Sequence, residues 1–298
     1  MACYAPVRVP VKRKRLNLPG YDYSARVSVG CGKCIGCRAE QSRNWMVRMV
    51  HESQIRGSGW FITLTYDDEH LPHDEGLDPH DFTYFVKGLR RHFPPEKLSF
   101  YGCGEYGSVT GRPHYHLCIF GPEFYCRDHY NNDDNGNPLF KSPTIEKCWP
   151  FGISDMGVMS PGAAAYTAGY VAKKVEETEN TYTRCHPETG EIFEVHPEFS
   201  RMSLRPAIGR RWIEEYWRDV YPRDYVVIDG REIKPPRYYD KWMDEYHPEV
   251  MEEVRNARWE RIAEEDELVP SKEKRRDLRA KQAHHKARNG LYNGRQSI

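Results

Sequence analysis

The chain of 298 residues sets 44 Lys+Arg against 44 Asp+Glu for a formal net charge of zero, with 39% hydrophobic residues and a mean hydropathy of -0.82. These values exclude a collagen-like, mucin-like or wholly disordered chain, and the zero net charge argues against a protein that coats nucleic acid through bulk charge. No run approaches the roughly 20 apolar residues needed to cross a bilayer, and the opening residues lack an apolar signal core, so a cytoplasmic protein is expected.

Residues 1–30 are rich in Pro, Lys and Arg, with little periodicity. Met46, Met49, Val50 and Ser53 then fall at helical spacing and predict a helix over 38–55, opened by a cysteine cluster. Trp60–Tyr66, rich in β-branched and aromatic residues, reads as a strand. Asp81 is the expected cap of a helix whose apolar stripe, Phe82, Phe85, Val86, Leu89 and Phe93, ends at Pro94-Pro95. Two strands follow, 98–105 and 114–120, joined by a glycine-bearing hairpin loop. Asn131–Asn137 reads as a polar surface loop, and Ser160-Pro161 as the start of a helix reaching about Val175. Residues 178–200 suggest an inserted hairpin or loop, Asp229-Gly230 a turn, and the charged run from Lys272 a solvated tail.

His114 and His116 are the most informative pair, because the period of two on a strand sends both imidazoles to one face, where they can reach one cation. If the hairpin closes symmetrically about Val109-Thr110, Glu105 lies opposite His114 on that face. Two imidazoles and a carboxylate with open positions suit Mn or Mg completed by substrate phosphate oxygens. A slip of one residue would remove Glu105 to the other face. Cys103, opposite His116, is a rival ligand, disfavoured because thiolate matches a hard cation poorly.

Tyr166, Tyr170 and Lys173 fall on one arc of the next helix, so two phenols and an ammonium share a face. A phenolate can attack a phosphodiester and retain the 5′ phosphate as an ester, with a lysine offsetting the developing charge. Each element has a plain alternative, since paired histidines and tyrosines at this spacing are often packing residues; their co-occurrence carries the reading. Cys31, Cys34 and Cys37 form a C-x2-C-x2-C loop suited to zinc, with Cys3 as fourth ligand, His51 as the alternative, and an iron-sulfur cluster as the less favoured cofactor. Asp67 and Asp68 could lie near the metal or simply end a strand, and Tyr238, Tyr239 and Trp242 could stack on bases or fill a core.

The runs FITLTYDDEHLP, CGEYGSVTGRPHYHLCIFG and YTAGYVAKK resemble the HUH endonuclease motifs of rolling-circle initiators. With CGKCIGCR in front, the chain resembles the Microviridae replication initiation proteins of gokushovirus type over most of residues 3–240. The resemblance implies an α+β HUH endonuclease fold: a central antiparallel sheet with flanking helices, an N-terminal zinc knuckle and a mostly helical C-terminal extension. It divides the chain into a Cys-rich knuckle and helix (1–57), a nicking core (58–178), an inserted loop and extension (179–262) and a basic flexible tail (263–298). Tyr166 and Tyr170 are then nucleophiles, Lys173 their electrostatic partner, and His114, His116 and Glu105 the ligands of Mg or Mn. Cys3, Cys31, Cys34 and Cys37 hold structural Zn, and Lys174 and Arg112 contact DNA.

The implied activity is a nick in single-stranded origin DNA of a double-stranded replicative form, leaving a 3′ hydroxyl primer and a 5′-phosphotyrosyl link, followed by rejoining of strands. Host helicase and DNA polymerase are the implied partners, in the bacterial host cytoplasm. Tyr115 departs from the pattern, in which the middle residue of the two-histidine motif is usually aliphatic. A noncatalytic zinc-containing DNA-binding regulator and a hydrolase that uses water instead of tyrosine are the alternative readings.

Overall fold

The computed structural model describes residues 3–10, 26–94, 98–107, 110–133, 136–173, 183–185, 189–268 and 277–287. In chain order the elements are β1 (Val7–Pro10), β2 (Arg26–Val29), α1 (Ile35–Arg56), β3 (Gly59–Tyr66), α2 (Pro79–His92), β4 (Ser99–Tyr106), β5 (Pro113–Phe120), β6 (Asp128–Asn132), β7 (Pro138–Lys141), α3 (Pro143–Cys148), β8 (Gly152–Val158) and α4 (Pro161–Lys173). They continue with β9 (Thr183–Cys185), β10 (Ile192–Glu194), β11 (Phe199–Met202), α5 (Arg210–Val220), β12 (Val226–Ile228), β13 (Arg231–Ile233), α6 (Arg237–Tyr246) and α7 (Pro248–Leu268). Two compact units divide the chain, Met1–Gln41 with Glu260–Ile298 and Ser42–Trp259, their boundaries falling inside α1 and α7.

The larger unit is built on a seven-stranded sheet in the order β11-β4-β5-β3-β8-β7-β6, antiparallel at every pairing. This is the α+β class with an antiparallel sheet that the sequence predicts. Alternation along β3, β4 and β5 divides their side chains between two cores. Ile62, Leu64, Phe100, Tyr115, Leu117 and Ile119 join Phe82, Phe85 and Leu89 of α2 on one face. Tyr101, Cys118 and Phe120 meet Val47 and Met49 of α1, and Ala164 and Ala168 of α4, on the other. Small side chains at Ala164 and Ala168, both fully buried, let α4 lie close to β4 and β5.

Several local expectations need correction. Asp78, not Asp81, caps α2: its carboxylate accepts from the His80 N–H at 2.6 Å, and Pro79 supplies the fixed φ of the first helical position. Asp81 sits in the first turn and accepts from the Tyr66 hydroxyl at 2.7 Å. The polar segment 131–137 is not a simple loop, because Asn131 and Asn132 end β6 and pair with β7, widening the sheet by two strands. Its polar sequence is tolerated because every residue of this edge strand is exposed.

Two hairpins follow their turn chemistry. Asp229 (φ 49°) and Gly230 (φ 71°) both take left-handed backbone between β12 and β13, as a two-residue turn between right-twisted strands requires. Residues 183–194 form the inserted hairpin β9–β10. In the smaller unit, β1 and β2 pair antiparallel. Residues 277–287, expected within a flexible tail, are helical, with Lys281 and Asp277 paired at 2.6 Å one turn apart. Among the described residues no helix is long and apolar enough to cross a membrane.

Candidate active site and zinc cluster

The β4–β5 register places Glu105 opposite His114 and Cys103 opposite His116, as symmetric closure of the hairpin requires. Backbone bonds from Gly107 N–H to Arg112 O (3.0 Å) and from Gly111 N–H to Gly107 O (2.8 Å) fix that closure, with Gly111 at φ 68°. Glu105 Oε1 consequently lies 2.7 Å from His114 Nε2 and 2.8 Å from His116 Nε2. Its other oxygen, Oε2, is buried with no hydrogen-bond partner among the described residues.

The imidazoles are held from behind. His114 Nδ1–H donates to Arg112 O at 3.0 Å, and His116 Nδ1 lies 3.1 Å from the Thr63 hydroxyl on β3. Phe61, two residues before Thr63, stacks on His116 with centroids 5.3 Å apart. These contacts aim both Nε2 atoms into the same space, as metal-binding histidines require. Glu105, His114 and His116 thus present ligand atoms within 4.8 Å of one another and could hold a metal. The orphaned carboxylate oxygen fits a missing cation, since a buried acceptor without a donor is costly.

Electrostatics follow the same geometry. Burial raises the Glu105 pKa, but hydrogen bonds from both imidazoles outweigh it and hold the carboxyl below its ordinary value. Burial disfavours the His114 cation, yet the bond to Glu105 outweighs it and leaves this histidine above its usual range. His116 lies deeper, and burial keeps it below that range despite the same carboxylate. Side-chain exposure of 18% at His114 against 2% at Glu105 makes the His114 side the approach from solvent. Cys103 is fully buried and its pKa is driven well up by burial, so it remains a neutral thiol, not a ligand.

Tyr166 on α4 joins this group. Its hydroxyl lies 3.4 Å from Glu105 Oε1, and its ring meets the His116 ring edge-on at 5.2 Å. The Ser160 hydroxyl caps α4 by accepting from the Ala163 N–H at 3.1 Å, as the Ser-Pro start predicts. Tyr170 and Lys173 occupy α4 one and two turns beyond Tyr166, but their side chains, like Lys174 altogether, lie outside the described residues. Arg112 is committed locally: it donates to Tyr66 O at 2.9 and 3.1 Å and pairs with Asp68 at 2.8 Å, tying the hairpin tip to the end of β3. Asp67 is a turn residue, accepting from the His70 N–H at 2.9 Å.

Tyr115, the departure from the motif, points to the opposite face and is fully buried. Its hydroxyl accepts from the Asp78 N–H and reaches Asp78 O, both at 2.9 Å, and lies 2.8 Å from the Tyr66 hydroxyl. The sequence reading missed Thr63 and Phe61, although polar Thr63 and Thr65 alternate with buried Ile62 and Leu64 and mark a strand with one chemically active face.

In the smaller unit, Cys3, Cys31, Cys34 and Cys37 bring four sulfurs within 4.8 Å of one another and could bind zinc. Backbone N–H groups point at the sulfurs, Cys31 N to Cys3 at 3.2 Å, Cys34 N to Cys31 at 3.3 Å and Tyr4 N to Cys34 at 3.4 Å. Burial opposes ionisation of Cys34, but these donors prevail and bring its pKa down to about 6. His51 is not part of this set. Its Nδ1 lies 2.9 Å from the Tyr239 hydroxyl and its ring stacks on Trp212 at 3.5 Å, inside the larger unit. Tyr239 and Trp242 are likewise core residues, 0% and 7% exposed, and offer no face to a base.

A family model for replication-associated proteins of the ORF2 kind matches residues 59–175, the stretch from β3 into the end of α4. The chain is 36% identical over 229 residues to the replication-associated protein VP4 of Bdellovibrio phage phiMH2K, covering 74% of this chain and 68% of that protein. It is 29% identical to the replication-associated protein ORF2 of Spiroplasma virus 4 over 91% of each chain. With the replication-associated protein ORF4 of Chlamydia phage 1 it shares 27% identity, over 75% of this chain and 56% of the other. No solved structure matches the chain. On the two-histidine strand, the tyrosine helix and these likenesses, the chain belongs to the Microviridae family of replication initiation proteins, gokushovirus type.

Proposed function

We propose that this protein starts replication by nicking single-stranded origin DNA through a tyrosine transesterification. The single observation that carries the reading is the convergence of the Tyr166 hydroxyl, Glu105 and both imidazoles on one patch of the sheet. Glu105, His114 and His116 would hold Mg or Mn, which when bound supplies Lewis-acid polarisation of the scissile phosphate. The Tyr166 oxygen attacks phosphorus, the phosphorus–O3′ bond breaks, and the 3′ oxygen takes up a proton as the phenol proton is lost. The products are a 5′-phosphotyrosyl link and a free 3′ hydroxyl.

Tyr166 acts first because its hydroxyl already reaches the ligand set, and Tyr170, one turn along α4, serves the second transfer that rejoins strands. Lys173, a further turn on, offsets the negative charge that develops on phosphate. Thr63 and the Arg112 carbonyl hold the imidazoles with Nε2 forward. The four-cysteine cluster is a structural zinc site, and residues 58–178 form the HUH nicking core. Arg112 and Lys174 contact DNA at the margin of the site. The setting is the host cytoplasm, where helicase and polymerase extend the 3′ end.

Incubation of the protein with an origin oligonucleotide and Mn or Mg is expected to give a covalent adduct on a denaturing gel. Adduct retained by a Tyr166→Phe, Tyr170→Phe double variant, or scission with no adduct, would overturn the mechanism and leave the water-hydrolase or noncatalytic reading.

A further inference from the structure

A concavity of about 670 Å³ opens on the α2 side of the sheet, where α2 meets the edge strand β11 and the segment after it. Glu105, His114 and His116 project from the other face, so this groove lies away from the nicking chemistry. Val86, Leu98 and Phe100 contribute apolar lining. Lys87, Arg90, Arg201 and Arg205 form the rim, and all four are exposed.

Charge is the unusual feature. In a chain with equal numbers of acids and bases, four cations line this groove and no carboxylate does. Among the described residues, Lys87, Arg90 and Arg205 have no acidic side chain within ion-pair distance. Arg90 lies over the Phe100 ring at 5.6 Å, and Arg201 donates to the Thr83 hydroxyl at 2.8 Å, so both heads are partly oriented without being neutralised. Like charges gathered without counterions destabilise the free protein unless a ligand brings negative charge.

Two features favour peptide over nucleic acid. Stacking platforms for bases need exposed aromatic faces, whereas the groove aromatics Phe82 and Phe100 are 1% and 7% exposed. Beside them, β11 is the last strand of the sheet and, among the described residues, pairs only with β4, leaving its outer backbone edge open to an added strand. We propose that this groove is a docking site for an acidic, extended peptide of a partner protein, its carboxylates meeting the four-cation rim and an apolar side chain entering between α2 and β11.

The test is fluorescence anisotropy with the full-length protein and a labelled peptide Asp-Asp-Glu-Leu-Phe-Asp-Glu. Its Asn/Gln counterpart and a labelled oligothymidylate serve as comparison probes. Saturable binding of the acidic peptide is expected, weakened about tenfold or more by Arg90→Glu with Arg205→Glu and by the amide counterpart, with adduct formation on origin DNA unchanged. Lys87→Glu, a single exposed substitution, provides a second reading should the double variant fold poorly. No saturable binding of the acidic peptide, unaltered binding by the charge-reversed variants, or an oligothymidylate that binds more tightly and is lost in the same variants would each overturn the proposal. The last outcome would assign the groove to nucleic acid.

Discussion

The protein carries two candidate metal sites of opposite construction. Glu105, His114 and His116 stand on neighbouring strands of a continuous ladder. Their donors are one carboxylate and two imidazoles, and one carboxylate oxygen lacks a partner among the described residues. Cys3, Cys31, Cys34 and Cys37 come from a tight turn and a distant terminal residue, and four soft sulfurs can complete a tetrahedron by themselves. A set of three leaves coordination positions for substrate; a set of four closes them. The difference separates a site that could work on phosphate from one that stabilises a unit too small to build a large core.

The largest effect expected falls on the closed site. Cys34→Ser should release bound zinc, measured as metal content per chain, and melt the smaller unit, because zinc can contribute on the order of 10 kcal/mol to such folds. Retention of stoichiometric zinc would break the contrast. At the open site, Tyr166→Phe should lower adduct formation about a thousandfold, near 4 kcal/mol of transition-state stabilisation, while zinc content stays unchanged. If Tyr170→Phe alone abolished the first adduct and Tyr166→Phe did not, the order of attack proposed here would reverse.

Smaller effects probe the supports. Thr63→Val removes the hydroxyl beside His116 Nδ1 and should weaken Mn binding by about tenfold, read by calorimetric titration, with thermal stability little altered. An unchanged Mn affinity would remove Thr63 from the site. The smallest effect concerns His51, a histidine that serves neither metal. Burial lowers its pKa to about 3 from an ordinary 6.5. Between those values the unfolded chain binds the extra proton, so its contribution to stability is full above pH 6.5 and declines as pH falls. Denaturant titrations should show a loss of about 1.4 kcal/mol per pH unit in that window, absent in His51→Phe.

The open site was largely legible in the sequence because its geometry is local: a period of two and one short hairpin set the relation of Glu105, His114 and His116. The sulfur cluster was legible for the same reason in three of its members, with Cys3 chosen as the soft donor that completes the set. Thr63 and Phe61 escaped because β3 reaches β5 across the whole of α2 and β4, and strand order is a tertiary decision that spacing does not encode. The displaced cap of α2 has a local cause, since Pro79 starts the helix earlier than the apolar stripe suggests. Among exposed segments, β6 and the helix at 277–287 lacked an apolar pattern that would reveal them.

The tyrosine inside the two-histidine motif has a further consequence. By gripping both backbone polar groups of Asp78 from the far side of the sheet, Tyr115 makes one strand answerable to two masters, catalysis in front and helix placement behind. An aliphatic replacement would leave the imidazoles in place yet unmoor the start of α2. Drift at this position is therefore restrained by architecture, independently of any demand from the reaction.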